Sequence, residues 1–380
     1  MRMLVLGAGL QGSACALDLL QNPDVAEVRL ADLHPTNLHE FLRPYSGTRL
    51  IPTPLDVRDH EAVLALMRES DAVMSAIPYY FNGELARLAV EAGAHWADLG
   101  GNTEIVLQQK QLDAAAKAKG VSLVPDTGLA PGMVNILAQM GIDRLDETRA
   151  VRIYVGGLPQ HPEGPLKYQV VYSLEGVLDY YTTLSWILRG GALTQVTALS
   201  EREPVHFAEP VGELEAFHTA GGLSTMGQRY EGRIATMEYK TLHYPGHAQI
   251  MEAIRELGLI DLEPVEVKGH KVVPRDVALA TMGPRLRKPK SPDLVALRVV
   301  VEGTKAGAPK RHAWELVDRA DEVRGVSAMM RTTGYSLSIT GQMQADGRVE
   351  AKGVRTPDEA IPYPAYVEEL GRRGIRIVEL

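Results

Sequence analysis

Met3-Leu4-Val5-Leu6-Gly7-Ala8-Gly9-Leu10-Gln11-Gly12 is an apolar run that ends in glycines spaced G-x-G-x-x-G, and Ser13 to Leu20 continues it with helical character. The pattern reads as strand, tight turn and helix, the entry unit of a dinucleotide-binding domain. Gly7 lets the chain turn, Gly9 lets the backbone approach a pyrophosphate, and Gly12 lets helix and strand pack closely. Leu10 and Gln11 open the helix, whose free N–H groups and positive dipole end face the phosphates. Val28-Arg29-Leu30-Ala31-Asp32 reads as the second strand, and Asp32 lies 20 positions beyond Gly12, close to the spacing of about 20 at which an acid holds the ribose diol. A carboxylate there fits NAD and repels the extra phosphate of NADP.

The chain of 380 residues suits two domains, or one domain with a large insertion. Its 48 acidic against 40 basic residues leave a net charge of −8, which argues against nucleic acid or an anionic membrane as a partner. The sequence has no long apolar run and its N-terminus is a glycine-broken strand, so no membrane span and a cytoplasmic location are expected. The single cysteine, Cys15, excludes disulfides within the chain and reads as core packing on the first helix.

Strands and helices alternate onward from Asp32. Thr48 to Val57 reads as a third strand, and Asp56 at its end either touches the adenine or caps the helix that follows. Ala72 to Pro78 reads as a fourth, His95 to Leu99 as a fifth and Val121 to Asp126 as a sixth. This rhythm predicts a Rossmann-type, doubly wound parallel sheet. Ligands bind beyond the carboxyl ends of such strands, so residues 77–82, 98–102 and 126–135 are expected to share one crevice. Ile77, Pro78, Asn82, Asp98 and Gly100 are its candidate cofactor contacts.

The pattern changes at the turn Gly128-Leu129-Ala130-Pro131-Gly132. Longer strand-type runs follow at 150–155, 167–172, 296–301 and 311–316, which predict a second α+β domain with a mixed or antiparallel sheet. The expected division is 1–130 for the dinucleotide-binding domain and 131–325 for a substrate-binding and oligomerisation domain. Residues 326–380 are then a C-terminal segment that returns to the first domain. The basic stretch 285–292 reads as a solvated loop.

Several residues of the second domain carry candidate chemistry. Gly221-Gly222 with Thr225 form either a backbone nest for a carboxylate or a plain turn. Glu175 either binds an amine or caps a helix after Ser173. His218 and Lys240 are either proton carriers or structural groups. His243 and His247 stand four apart, the spacing of metal ligands on a helix, but Pro245-Gly246 between them forbids that helix, so no metal site is expected.

Taken together, Leu4-Val5-Leu6-Gly7-Ala8-Gly9, Asp98-Leu99-Gly100-Gly101, Gly128-Leu129-Ala130-Pro131-Gly132-Met133, Tyr154-Val155-Gly156-Gly157, Ser173-Leu174-Glu175-Gly176, Glu215-Ala216-Phe217-His218-Thr219 and Glu238-Tyr239-Lys240-Thr241 resemble the saccharopine dehydrogenase-like family. The likeness is greatest to its lysine 6-dehydrogenase branch. The chain departs from the saccharopine-forming reductases at Ala130, where they carry an acid, at Val155, where they carry cysteine, and at Glu175, where they carry arginine. It departs from the wider family at His243, where an arginine is frequent.

The resemblance implies NAD-dependent oxidative deamination of the ε-amine of L-lysine to 2-aminoadipate 6-semialdehyde, which cyclises, and ammonia. A free ε-ammonium has a pKa of about 10.4, so the site must desolvate the amine or supply a base. Asp126, His218 and Lys240 are the candidates for proton transfer, Glu175 for the amino group, and Tyr172 and Thr225 for orienting the substrate. The alternatives are a saccharopine- or carboxyspermidine-type reductase that joins an amine to a carbonyl compound, or a non-catalytic NAD-binding sensor. Exposed edges of a strand-rich second domain predict a homo-oligomer, dimer or tetramer.

Overall fold

The computed structural model describes residues 1–288 and 291–380, so Pro289 and Lys290 of the basic stretch lie outside the described residues. β1 (Arg2–Leu6), β2 (Glu27–Asp32), β3 (Leu50–Pro54), β4 (Ala72–Ser75), β5 (His95–Asp98) and β6 (Ser122–Val124) form a parallel sheet in the order 3-2-1-4-5-6, with Gly353–Val354 as a seventh strand beside β6. Met3 to Leu6 are buried on both faces, as their unbroken apolar run requires in a sheet covered by helices. The order reverses between β1 and β4, which opens the crevice that such sheets use for ligands.

The second sheet is built from β7 (Glu147–Pro159), β8 (Ser185–Arg189), β9 (Ala192–Val196), β10 (Glu203–His206), β11 (Glu213–His218) and β12 (Thr236–His243). A separate exposed hairpin, β13 (Val265–Val267) with β14 (His270–Val272), precedes the long strands β15 (Asp293–Lys305) and β16 (Ala308–Arg319). Its main path runs β10-β11-β12-β7-β15-β16-β18, where β18 is Val378–Glu379 and β17 is the Gly353–Val354 strand of the first sheet. Only the β12–β7 pair is parallel. The sheet is therefore mixed. Residues 167–172, expected as a strand, are irregular, because Lys167 takes a φ of +46° that an extended strand does not allow.

From Met330 the chain returns to the first domain, but its last strand, β18, pairs with β16 of the second sheet. Helix Tyr335–Ala345 is buried along nearly its whole length. Ser338 Oγ donates to Asp18 at 2.7 Å and Arg373 Nε donates to the same carboxylate at 2.7 Å. Gln344 Nε2 donates to the carbonyls of Trp96 and Ser122. The segment 353–364 contains β17 and a short helix at Pro357–Ala360. Among the described residues, no helix is long and apolar enough to cross a membrane.

Candidate active site

The glycine-rich turn closes between three strand ends. A Cβ on Gly12 would lie 1.8 Å from the Gly7 carbonyl oxygen, and one on Gly7 would lie 2.7 Å from that of Ala76. Gly7 has a φ of +97°. A Cβ on Gly9, in contrast, would meet nothing within 4 Å. Helix Leu10–Gln21 starts at Gly9 with no side-chain cap, so its first N–H groups remain open to an anion. The side-chain nitrogen and oxygen of Gln11 are buried without a partner. Open space at Gly9, uncapped N–H groups and an orphaned amide together fit a dinucleotide.

Asp32, at the end of β2, accepts from the Ala8 N–H at 2.8 Å and from the His34 N–H at 2.9 Å. It therefore braces the turn with its carboxylate beside the nucleotide path. Asp56 does not cap the next helix, since Asp59 accepts from the Ala62 N–H in that role. Asp56 instead clasps Arg58, whose guanidinium holds its carboxyl down to about 2.

One cavity of about 560 Å³ runs from this turn into the second domain. Gly9, Leu10, Gln11, Ile77, Pro78 and Gly100 line its nucleotide end, while Tyr172, Glu175, Tyr239, Thr241 and His243 line the other. Asn82 and Asp98 lie behind the wall. Asn82 accepts from Ser75 Oγ, and Asp98 accepts from Trp96 Nε1 and Gln109 Nε2, with burial pushing its carboxyl upward. Both fix the strand ends that shape the crevice.

The second sheet divides the remaining candidates by strand parity. Side chains alternate along β12, so Tyr239, Thr241 and His243 reach the cavity while Glu238 and Lys240 take the opposite face. Lys240 Nζ donates there to Glu203 Oε1 at 2.7 Å and to the Glu201 carbonyl at 2.8 Å. His218, directly across from Lys240 on β11, is buried between the Tyr239 carbonyl and Glu201. The geometry leaves both outside the cavity. His218 lies within reach of Glu201 and Glu238, whose carboxylates pair with Arg189 and Arg152.

Gly221, Gly222 and Thr225 also sit outside the lining. A Cβ on Gly222 would fall 2.3 Å from the Tyr239 ring, so this glycine lets the chain pass flat against the aromatic face, and its carbonyl is taken by Asn135 Nδ2. Thr225 is buried at the start of helix Met226–Tyr230. Glu175 reaches the cavity in the first turn of helix Leu174–Thr182, whose N-terminus is capped by Ser173. Among the described residues its carboxylate has no hydrogen-bond or ion-pair partner. Its neighbour Asp179 is held by Arg275. Burial, together with Asp179 and Glu175, raises the Tyr79 hydroxyl, which places both acids near the Pro78 end of the first domain.

Asp126 sits at the end of β6 with a φ of +63°, directly behind Gly100. A Cβ on Gly100 would lie 1.6 Å from its carboxylate. The carboxylate accepts from the Gly101 N–H at 3.1 Å and from Ser224 Oγ, and so ties the two domains together beside the cavity. Burial pushes this carboxyl up to about 7. An unfolded aspartate titrates near 3.9, so the stability that Asp126 contributes is complete below that value and is lost as pH rises through about 7. Asp126→Asn keeps both hydrogen bonds and removes the titration. Urea unfolding from pH 4 to 8 is therefore expected to show wild type losing stability relative to Asp126→Asn, with the difference level above pH 8. Parallel profiles would mean that the carboxyl is ionised throughout.

The residues that sequence reasoning missed are Tyr168 and Tyr181 at the far end of the cavity, and His247, which stands behind them against Tyr181 and His243. Tyr168 lies in the irregular segment, and a turn at Pro245-Gly246 stacks His247 on His243 with ring centroids 3.9 Å apart. The spacing of the two histidines was the available signal, read only for a helix.

Comparison with known proteins places these features in context. Residues 3–124 match the family model described as saccharopine dehydrogenase NADP binding domain, and residues 128–375 match the saccharopine dehydrogenase C-terminal domain. The mitochondrial alpha-aminoadipic semialdehyde synthase of Mus musculus is 23% identical over 98% of this chain and 47% of its own length, so the chain spans about half of that relative. The saccharopine dehydrogenase (NADP(+), L-glutamate-forming) of Saccharomyces cerevisiae is 22% identical over 99% of this chain and 98% of its own. Among solved structures, apo saccharopine dehydrogenase (L-Glu forming) from Saccharomyces cerevisiae superposes with a TM-score of 0.80 at 21% identity, covering 100% of this chain and 99% of that one. Homospermidine synthase from Legionella pneumophila, solved with NAD, gives 0.70 at 10% identity and covers 100% and 91%. At these identities the likeness shows the fold.

Proposed function

From the premise that this chain belongs to the saccharopine dehydrogenase family, we propose that it is an NAD-dependent dehydrogenase that oxidises the ε-amine of L-lysine. The observation that carries this reading is the charge of the cavity. Its lining holds the unpaired carboxylate of Glu175 and, among the described residues, no lysine or arginine. A dicarboxylic substrate arm needs a cation to replace its water, whereas an ammonium needs an acid. The saccharopine-type alternative raised by the relatives' names therefore lacks its counter-charge here.

Glu175 receives the ε-ammonium and takes its proton, leaving a neutral nitrogen that can push electrons toward C6. The bound nicotinamide supplies the acceptor for the hydride that leaves C6. The resulting imine adds water and releases ammonia, and the aldehyde closes on its own α-amine. Tyr172 and Tyr239 flank the chain and exclude water. Asp32 holds the ribose diol, and the uncapped N–H groups after Gly9 hold the pyrophosphate.

The test is reduced-cofactor absorbance with purified protein, NAD or NADP, and a panel of L-lysine, L-ornithine, other amines and saccharopine. L-lysine with NAD is expected to give the fastest reduction. Turnover of another amine without L-lysine overturns the substrate, and turnover of saccharopine with NADP overturns the reaction.

A further inference from the structure

Among the described residues lining the cavity, three carry a buried polar atom without a partner: Gln11 at the nucleotide end, and Tyr168 and His243 at the far end. A buried polar atom left unpaired is costly, so this far end is built for a ligand group. Hydrogen-bond logic says what kind of group. His247 Nδ1 lies 3.0 Å from the Leu166 carbonyl, which can only accept, so Nδ1 carries the proton. Burial holds His247 down to about 4, so the ring is neutral and its Nε2 is a bare acceptor. Tyr181 therefore donates its only hydroxyl proton to that nitrogen, at 2.9 Å. The Tyr181 oxygen is left to accept from His243 Nε2–H, at 3.1 Å. Burial and the neighbouring His247 keep His243 neutral as well. Its one proton is on Nε2, so Nδ1 presents a lone pair with no partner.

The cavity floor thus offers one bare acceptor, His243 Nδ1, and one free hydroxyl, Tyr168 Oη, which lies on an adjacent ring 5.3 Å from that of His243. The four rings carry no charge of their own, and Glu215, opposite His243 across β11 and β12, has one carboxylate oxygen taken by the Ala248 N–H at 2.7 Å. An isolated ammonium or carboxylate would have no free counter-charge among these rings. A group that carries both charges is neutral overall, and its N–H and carboxylate match the acceptor and the hydroxyl. The geometry points to this floor as the subsite for an α-amino acid head group, with His243 Nδ1 accepting from the α-ammonium and Tyr168 donating to the carboxylate. This rests on the amine-oxidation reading for the orientation of the chain, and it selects L-α-amino acids over plain diamines.

The probe is L-norleucine, which keeps the head group and an apolar chain but lacks the ε-nitrogen. Calorimetry on the protein loaded with NAD (or NADP where NAD fails to bind) is expected to show L-norleucine binding that weakens at least about tenfold in Tyr168→Phe and in His243→Phe, with dinucleotide affinity unchanged. Tyr168→Phe removes only a hydroxyl without a protein partner, and His243→Phe keeps the stack on Phe217 and His247. In turnover, L-lysine should exceed both 1,5-diaminopentane, which lacks the carboxylate, and 6-aminohexanoate, which lacks the α-amine. That advantage should collapse in His243→Phe. No L-norleucine binding, or equal binding in wild type and both variants, overturns the head-group subsite. Equal oxidation of all three amines does the same while leaving the reaction intact. Binding lost in both variants, with no amine oxidised, keeps the subsite and removes the amine-oxidation reading.

Discussion

Gly12→Ala is expected to abolish dinucleotide binding and to cost about 3 kcal/mol or more of stability, the upper end for overpacking. The added methyl would stand 1.8 Å from the Gly7 carbonyl oxygen, and neither side can yield. Gly7 donates its N–H to the Ala31 carbonyl at 2.8 Å and is itself within a methyl's breadth of Ala76. The turn is thus trapped between the ends of β1, β2 and β4. Gly9→Ala separates the two effects. Its Cβ enters open space and its φ of −69° suits alanine, so thermal unfolding should match wild type. The methyl would occupy the approach path of the pyrophosphate, and calorimetric NAD binding should weaken by at least about tenfold. Equal NAD affinity in wild type and Gly9→Ala would remove the phosphate from this turn.

The contrast between those two glycines shows why the first domain was legible in the sequence. Its signals are local: a turn, an acid at fixed distance, and strands in a regular rhythm, each requiring only a few residues to be read together. The second domain depends on parity and on distant partners. Glu175, Tyr172, Ile77, Pro78 and Gly100 were selected with segment-level reasoning and line the cavity. His218 and Lys240 were selected with the same reasoning, yet one step along β12 sends a side chain to the other face of the sheet. Nothing in the segment Glu238-Tyr239-Lys240-Thr241 says which set faces the cavity, because both faces are covered and Lys240 is as buried as Tyr239. Tyr168 was hidden for another reason. It faces the cavity from an irregular stretch whose path is set by contacts such as Val170 N–H to the Leu286 carbonyl, 116 residues along the chain.

Asp32→Asn is expected to shift the preference between NAD and NADP by about a hundredfold toward NADP. The amide keeps an oxygen for the Ala8 N–H, so the glycine turn stays braced, while the bond from the His34 N–H and the negative charge are both lost. Two like charges about 5 Å apart at an effective dielectric of about 20 repel by about 3 kcal/mol, which corresponds to about two powers of ten. The same carboxylate gives the ribose diol its acceptors, so the variant should also raise KM for NAD. Between Leu33 and Phe41 no lysine or arginine stands ready to receive a phosphate, and Arg58 is engaged by Asp56. NADP affinity should therefore rise through lost repulsion alone, and less than it would with a new cation. The family model that spans β1 to β6 bears NADP in its description, which makes the wild-type preference itself informative. A wild type that reduces NADP faster than NAD, with Asp32→Asn leaving the ratio unchanged, would show that the Asp32 charge does not choose the cofactor. Asp32 would then serve only to hold the Ala8 and His34 amides that shape the turn.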